Sequence, residues 1–170
     1  MDEKINLLNY LADKYNESFT HFIIDSKIVS SAVSGNSRVT LQYVPAGMVI
    51  AIIGGIIVDA KDSYIAMPVG NGLYMHQVTN NKKGTINHSC NPNCKISGFN
   101  KLVAKKDINI NEELTIDYGG CAIGIGLTII ENCSCGSDVC RSEIKTDDYL
   151  LMNIDDLNIY GKYKRVINGN

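Results

Sequence analysis

Two short stretches of this 170-residue chain concentrate side chains able to do chemistry. One is Cys133-Ser134-Cys135-Gly136-Ser137-Asp138-Val139-Cys140, with C-x-C-x4-C spacing. Three thiolates in one short loop, with a small Gly136 at the bend, can converge on a single ion. Zn(II) takes four such ligands in a tetrahedron, with sulfur at ~2.3 Å. No Cys or His follows Cys140, so the fourth ligand comes from upstream, where Cys90 and Cys94 are the candidates. Four protein ligands leave no open position for a substrate water, which makes the ion structural, a clamp of the tail onto the body of the protein. A reduced thiol cluster or an adventitious disulfide is the competing explanation. Against it, no secretory signal is visible, and packing cysteines tend to be scattered through a core.

The other stretch is Asn87-His88-Ser89-Cys90-Asn91-Pro92-Asn93-Cys94. Alone it is a weak signal, since Asn side chains in a turn often bond their own backbone. A Cys–His nucleophile pair is a second reading, and it lacks an evident third group to orient the base. What decides is the combination: N-H-S-C-x-P-N-C, then Glu112-Glu113-Leu114-Thr115-Ile116-Asp117-Tyr118-Gly119, then C-x-C-x4-C-R, in that order. In these motifs the sequence resembles the SET-domain protein-lysine methyltransferases with a post-SET zinc segment, of the small single-domain bacterial or viral type. The resemblance covers about residues 26 to 144. Val44-Pro45-Ala46-Gly47 matches a further family turn. Elsewhere the chain departs from the pattern. Gly35-Asn36-Ser37 stands where a G-x-G turn is usual, and Ile52-Ile53-Gly54-Gly55 replaces Y-x-G-E. Gly84 and Thr85 replace an Arg and an aromatic.

The resemblance implies methyl transfer from S-adenosylmethionine to a lysine ε-amine of a protein, a histone tail or another basic protein being the substrate class. Tyr118 matches the catalytic tyrosine. Asn87 and His88, with Gly35, Asn36 and Ser37, match the cofactor wall, which Tyr118 also touches. Cys90 matches the fourth zinc ligand beside Cys133, Cys135 and Cys140. Cys94 is then a packing or free thiol, and Cys121 has no role. Ile116 occupies a position where an aromatic restricts the number of methyls transferred, so di- or trimethylation is the expectation. A lysine amine has a free pKa of ~10.4 and must be neutral to attack. A narrow apolar channel and a nearby sulfonium would both lower it, leaving alignment as the main task of the site. Two other functions compete: a catalytically weak module that binds a peptide, and a zinc-only structural protein.

Elements must position these groups. The resemblance implies a mainly β fold with short helices, in which small curved sheets surround a pseudo-knot that brings the two motifs together. Short runs rich in Ile, Val and Tyr, bounded by turn residues, agree: Phe22 to Ile24, Arg38 to Tyr43, Met48 to Ile53, Ile56 to Val58 and Tyr64 to Met67. Val103 to Ala104 and Glu113 to Ile116 add strand character, and Pro45-Ala46-Gly47 and Gly70-Asn71-Gly72 are turn signals. The Asn-rich residues 79–100 read as ordered loop. Ile5, Leu8, Leu11 and Tyr15 lie at helical spacing and predict an N-terminal amphipathic helix. Asp147 to Tyr163 predicts a C-terminal helix. The expected layout is an N-terminal helix over 1–20, the SET domain over 21–130, a zinc segment over 131–147 and a tail over 148–170.

A hydrophobic content of 45% suits a packed core, and the net charge of −2 supplies no basic field for nucleic acid. The apolar run from Val49 to Val58 is too short to span a bilayer. The expectation is therefore no direct nucleic-acid partner, no membrane, and a cytoplasmic location, or a nuclear one in a eukaryotic cell. Oligomeric state stays open, a dimer included.

Overall fold

The computed structural model describes residues 20–31, 35–58, 67–70, 73–76, 86–98, 100–120, 128–146 and 148. The expected N-terminal helix, Cys121 and all of the expected C-terminal helix except Asp148 lie outside the described residues. The strands, in chain order, are β1 (His21–Phe22), β2 (Ser26–Ser31), β3 (Gly35–Thr40), β4 (Val49–Ile52), β5 (Ile56–Val58), β6 (Met67–Gly70) and β7 (Leu73–His76). They continue as β8 (Asn87–His88), β9 (Cys94–Ser97), β10 (Lys101–Ala104), β11 (Thr115–Ile116), β12 (Thr128–Ile130) and β13 (Ile144–Lys145). Among the described residues, helical conformation is confined to the 3-10 turn Tyr118–Gly120 and to Asp148. The fold is mainly β, as expected.

The strands form small sheets. The largest has the order β1-β4-β10-β9, antiparallel throughout, and the rest are β5-β7-β6 and the pairs β2-β3, β8-β11 and β12-β13. The sequence explains the central position of β4. Its Val-Ile-Ala-Ile run has no polar face, and Ile50 and Ala51 are fully buried. β9 instead alternates, with Cys94 and Ile96 buried and Lys95 and Ser97 half-buried. Leu102, Ile108, Leu114, Val44 and Met75 complete the centre of the core. Each such side chain contributes roughly 1.5–3 kcal/mol on burial.

The Pro45–Gly47 turn forms as read. Met48 N–H donates to the Pro45 carbonyl at 3.1 Å, and Gly47 adopts φ 84°, a conformation glycine takes at little cost. The reading of residues 79–100 as loop needs correction, because β8 and β9 lie inside them. Their composition hid them. Asn and Lys are poor strand formers alone, and pairing with β11 and β10 supplies what propensity does not.

β8 and β11 carry the two motifs. They pair in parallel, with Asn87 opposite Thr115 and His88 opposite Ile116. Ser89 N–H continues the ladder to the Ile116 carbonyl at 3.0 Å. β3 runs beside the same segment: Leu114 N–H donates to the Arg38 carbonyl, and Thr40 N–H to the Glu112 carbonyl. Segments from three parts of the chain thus meet at one place.

Candidate active site and thiol cluster

Asn87 joins the three segments through its side chain. Its Nδ2 donates to the Asn36 carbonyl at 2.8 Å and to Glu113 Oε1 at 2.7 Å, with Ser37 Oγ at 3.2 Å. Gly35, Asn36 and Ser37 open β3 against this amide. Gly35 sits at φ 77°, and a Cβ built there meets nothing within 4 Å among the described residues. Asn36, Ser37, Asn87 and Glu113 therefore form one polar wall.

His88 and Tyr118 are coupled directly. The main-chain N–H of Tyr118 donates to His88 Nδ1 at 3.1 Å, and the two rings lie 5.4 Å apart, tilted by 53°. A backbone N–H is always a donor, so Nδ1 is an acceptor and the neutral ring carries its proton on Nε2. That proton faces Cys90 Sγ, 3.3 Å away. Burial pushes the imidazole below its usual range, aided by Arg141, against the opposing pull of Asp117, Asp148 and the Ile116 carbonyl. The Tyr118 hydroxyl donates to the Ile86 carbonyl at 2.7 Å, which fixes the phenol at the mouth of β8.

Beyond His88 lies the thiol cluster. Ligating atoms of His88, Cys90, Cys133 and Cys135 all lie within 4.8 Å of one another. Cys140 adjoins them: its thiol hydrogen-bonds with those of Cys133 and Cys135, and its Sγ lies 3.4 Å from the Cys133 carbonyl. Two main-chain donors point inward, Cys90 N–H to Cys135 Sγ at 3.5 Å and Arg141 N–H to Cys90 Sγ at 3.4 Å. Inward N–H groups suit thiolate acceptors. Without a cation the thiols cannot all ionise. Burial, with the neighbouring thiols, holds Cys133 up at about 12. Cys135 falls to about 7, because burial is outweighed by the N–H groups of Cys90 and Ser137 and by the thiols of Cys133 and Cys140. A divalent cation would resolve that conflict, so the donor set fits a thiolate-bound metal such as Zn(II). His88 presents a proton rather than a lone pair to this cluster. Cys94 is elsewhere. It is 1% exposed in the core, donates to Asn93 Oδ1, and is pushed up to about 12 by burial.

Sequence reasoning passed over five residues that hold the site. Asn93 is 4% exposed, and its amide donates to Glu112 Oε1 and to the Glu113 carbonyl while its oxygen accepts Thr115 N–H. Glu113 orients Asn87. Arg141 grips Asp117 with two bonds, Nη1 to Oδ2 at 2.9 Å and Nη2 to Oδ1 at 2.6 Å, and its Nε lies 3.3 Å from Asp148 Oδ2. Asp117 and Asp148 hold the guanidinium charged, its pKa raised above the usual range despite burial. Asn93, Asp117 and Arg141 each stood next to a residue that was singled out. Their partners are distant in the chain, so only the fold could pair them.

The SET domain family model matches residues 9–119. The chain belongs to the SET-domain family. A curated relative, human "Histone-lysine N-methyltransferase SETD1B", is 39% identical over 66 residues, which is 35% of this chain and 3% of that protein. This SET chain therefore spans a small part of the relative's length. Among solved structures, the methyltransferase domain of human histone-lysine N-methyltransferase SETMAR superposes with a TM-score of 0.57 at 21% identity, covering 72% of this chain and 58% of that one. KRYPTONITE, solved with mCHH DNA, an H3(1-15) peptide and SAH, gives a TM-score of 0.55 at 24% identity, covering 72% and 30%. Both likenesses concern the fold.

Proposed function

We propose that this SET domain transfers a methyl group from S-adenosylmethionine to the ε-amine of a lysine in a protein substrate, a histone tail or similar basic segment. The observation that carries the reading is the placement of Tyr118 against β8: its hydroxyl is fixed on the Ile86 carbonyl and its backbone on His88, next to the Asn87 wall. Relatives whose names state histone-lysine N-methyltransferase activity support the same reading.

S-adenosylmethionine supplies the methyl group on a sulfonium centre. Asn87, with Gly35, Asn36 and Ser37, would hold its amino-acid end, and the main chain of His88 its adenine. Tyr118 would orient the neutral lysine amine, whose lone pair forms the new N–C bond as the S–C bond breaks; the amine's proton leaves to solvent beforehand. Cys90, Cys133, Cys135 and Cys140 would hold Zn(II), which fastens residues 133–140 to β8. Ile116 is buried in the core cluster against which Tyr118 packs, and an aliphatic side chain at this position would leave room for di- or trimethylation.

Incubating the zinc-loaded protein with labelled S-adenosylmethionine and histone or lysate proteins tests the proposal. Incorporation into lysine, lost in Tyr118→Phe, is the expected result. Cofactor binding with no transfer to any protein would instead favour a peptide-binding module, a reading motivated by Ile52 and Gly55 standing where the family has Tyr and Glu. Mass spectrometry of the product gives the methylation state, and strict monomethylation would contradict the Ile116 expectation.

A further inference from the structure

We infer that Arg141 is a positioning residue for Tyr118, acting through Asp117; the inference rests on the methyltransferase reading only for its kinetic consequence. Asp117 is the covalent neighbour of Tyr118 and is buried, with its side chain 6% exposed. The Arg141 guanidinium takes both carboxylate oxygens, at 2.9 and 2.6 Å, in a bidentate fork. The same carboxylate receives Gly119 N–H at 3.0 Å, and Gly120 N–H donates to the Asp117 carbonyl at 3.2 Å. The 3-10 turn that presents Tyr118 is therefore closed on Asp117, and Asp117 is aimed by Arg141.

Four further contacts show that this is a built arrangement. Arg141 Nε lies 3.3 Å from Asp148 Oδ2, and Asp148 Oδ2 also accepts Lys145 N–H at 3.1 Å. Asp148 packs so closely on the turn that a Cβ added to Gly119 would come within 2.6 Å of Asp148 Cβ. On its other side, Arg141 gives its backbone N–H to Cys90 Sγ. The residue thus spans from the thiol cluster to the catalytic turn. Its fork is what matters: a lysine ammonium keeps the charge and cannot take both oxygens of Asp117 in a fixed plane. The rival explanation is that Arg141 only anchors residues 128–146 to the domain.

The test compares the zinc-loaded 170-residue wild type with Arg141→Lys, Asp117→Asn and, as a control in the same segment, Glu143→Gln, which removes only an exposed charge pairing with Lys145. Elemental analysis reads zinc, hydrogen–deuterium exchange reads the turn, and steady-state kinetics read kcat against KM. In Arg141→Lys, zinc stoichiometry should stay at the wild-type level. Exchange at Tyr118–Gly120 should rise while exchange in β10 and in β12 stays unchanged. The value of kcat should fall on the order of tenfold or more with the peptide KM little altered, as misalignment predicts. Asp117→Asn should behave alike, and Glu143→Gln like wild type. Wild-type protection at Tyr118–Gly120 in Arg141→Lys overturns the inference, as does a rise spread equally over residues 128–146 with loss of zinc. If the wild type transfers no methyl group, the functional proposal fails, and the exchange comparison still decides the role of Arg141.

Discussion

His88 Nδ1 accepts the main-chain N–H of Tyr118 at 3.1 Å, and the opposite nitrogen of the same ring faces Cys90 Sγ at 3.3 Å. One imidazole therefore stands between the proposed catalytic residue and the thiol cluster. Three residues of one four-residue motif thus point to three different parts of the chain. Asn87 points to β3, His88 to Tyr118, and Cys90 to the thiols of the C-terminal segment.

Tyr118→Phe removes one hydroxyl and its bond to the Ile86 carbonyl. The ring still packs on His88 and the core, so the loss of stability should be about 1 kcal/mol. Methyl transfer should drop on the order of a hundredfold, because alignment is the main contribution left to the protein. Binding of S-adenosylmethionine, measured by calorimetry, should persist within a few-fold. A variant as active as wild type would remove Tyr118 from the mechanism.

Asn93→Ala should destabilise the protein more than any substitution in the cofactor wall. Its side chain bonds Glu112, the Glu113 carbonyl and Thr115 N–H from a position 4% exposed. Truncation leaves the Thr115 N–H and the Glu113 carbonyl without these partners, at about 1–3 kcal/mol each. Urea unfolding should show a loss of roughly 3 kcal/mol with an unchanged slope. Because Thr115 lies in β11, opposite Asn87, activity should fall as well. A loss below 1 kcal/mol would mean that the loop holds itself without this amide.

Asn93 also shows what the sequence could and could not tell. It was visible as part of N-P-N-C, and nothing in one strand of text says which of three nearby asparagines turns inward. The motif order carried the resemblance to the family, and the resemblance in turn carried the mainly β architecture and the placement of Asn87 near Asn36 and Ser37. β8 and β9 were missed because they exist through pairing, not propensity. Arg141, Asp117 and Asp148 were missed for the same reason: a two-oxygen grip between residues 24 positions apart has no local signature. The choice between Cys90 and Cys94 was open at the level of spacing and was carried only by resemblance. Burial separates them, since Cys94 lies inside the core sheet and Cys90 lies among the thiols.

Asp107 gives a pH dependence of known sign. Ala46 N–H donates to its Oδ1 at 2.9 Å, and this bond, with the Tyr43 hydroxyl, holds the carboxyl below its ordinary value of 3.8. A depressed folded-state pKa means that the unfolded chain binds the proton more readily. The stabilisation is then present above pH ~4, the unfolded value, and is lost as pH falls through the lower folded value. Asp107→Asn should therefore lower Tm at pH 7, and the difference from wild type should shrink in acid below that window. The site is exposed, so added salt should weaken the charged contribution. A difference that stays constant from pH 7 into acid would show that the carboxylate charge contributes nothing to the Pro45–Gly47 turn.

Metal removal tests the His88 link between Tyr118 and Cys90. Chelation should lower Tm, because the thiols are then left crowded with no cation to balance them. It should also weaken S-adenosylmethionine binding, since Cys90 is three residues from Asn87 and its sulfur faces the His88 ring. Loosening Cys90 frees His88, and a free His88 no longer holds Tyr118 N–H. Calorimetry on protein with verified metal loss reads the second effect separately from the first, provided it is run well below the lowered Tm. Re-adding Zn(II) should restore both. Cofactor affinity that survives complete removal of the metal would show that the thiol cluster serves the tail alone, and that the His88 bridge carries no coupling between the two sites.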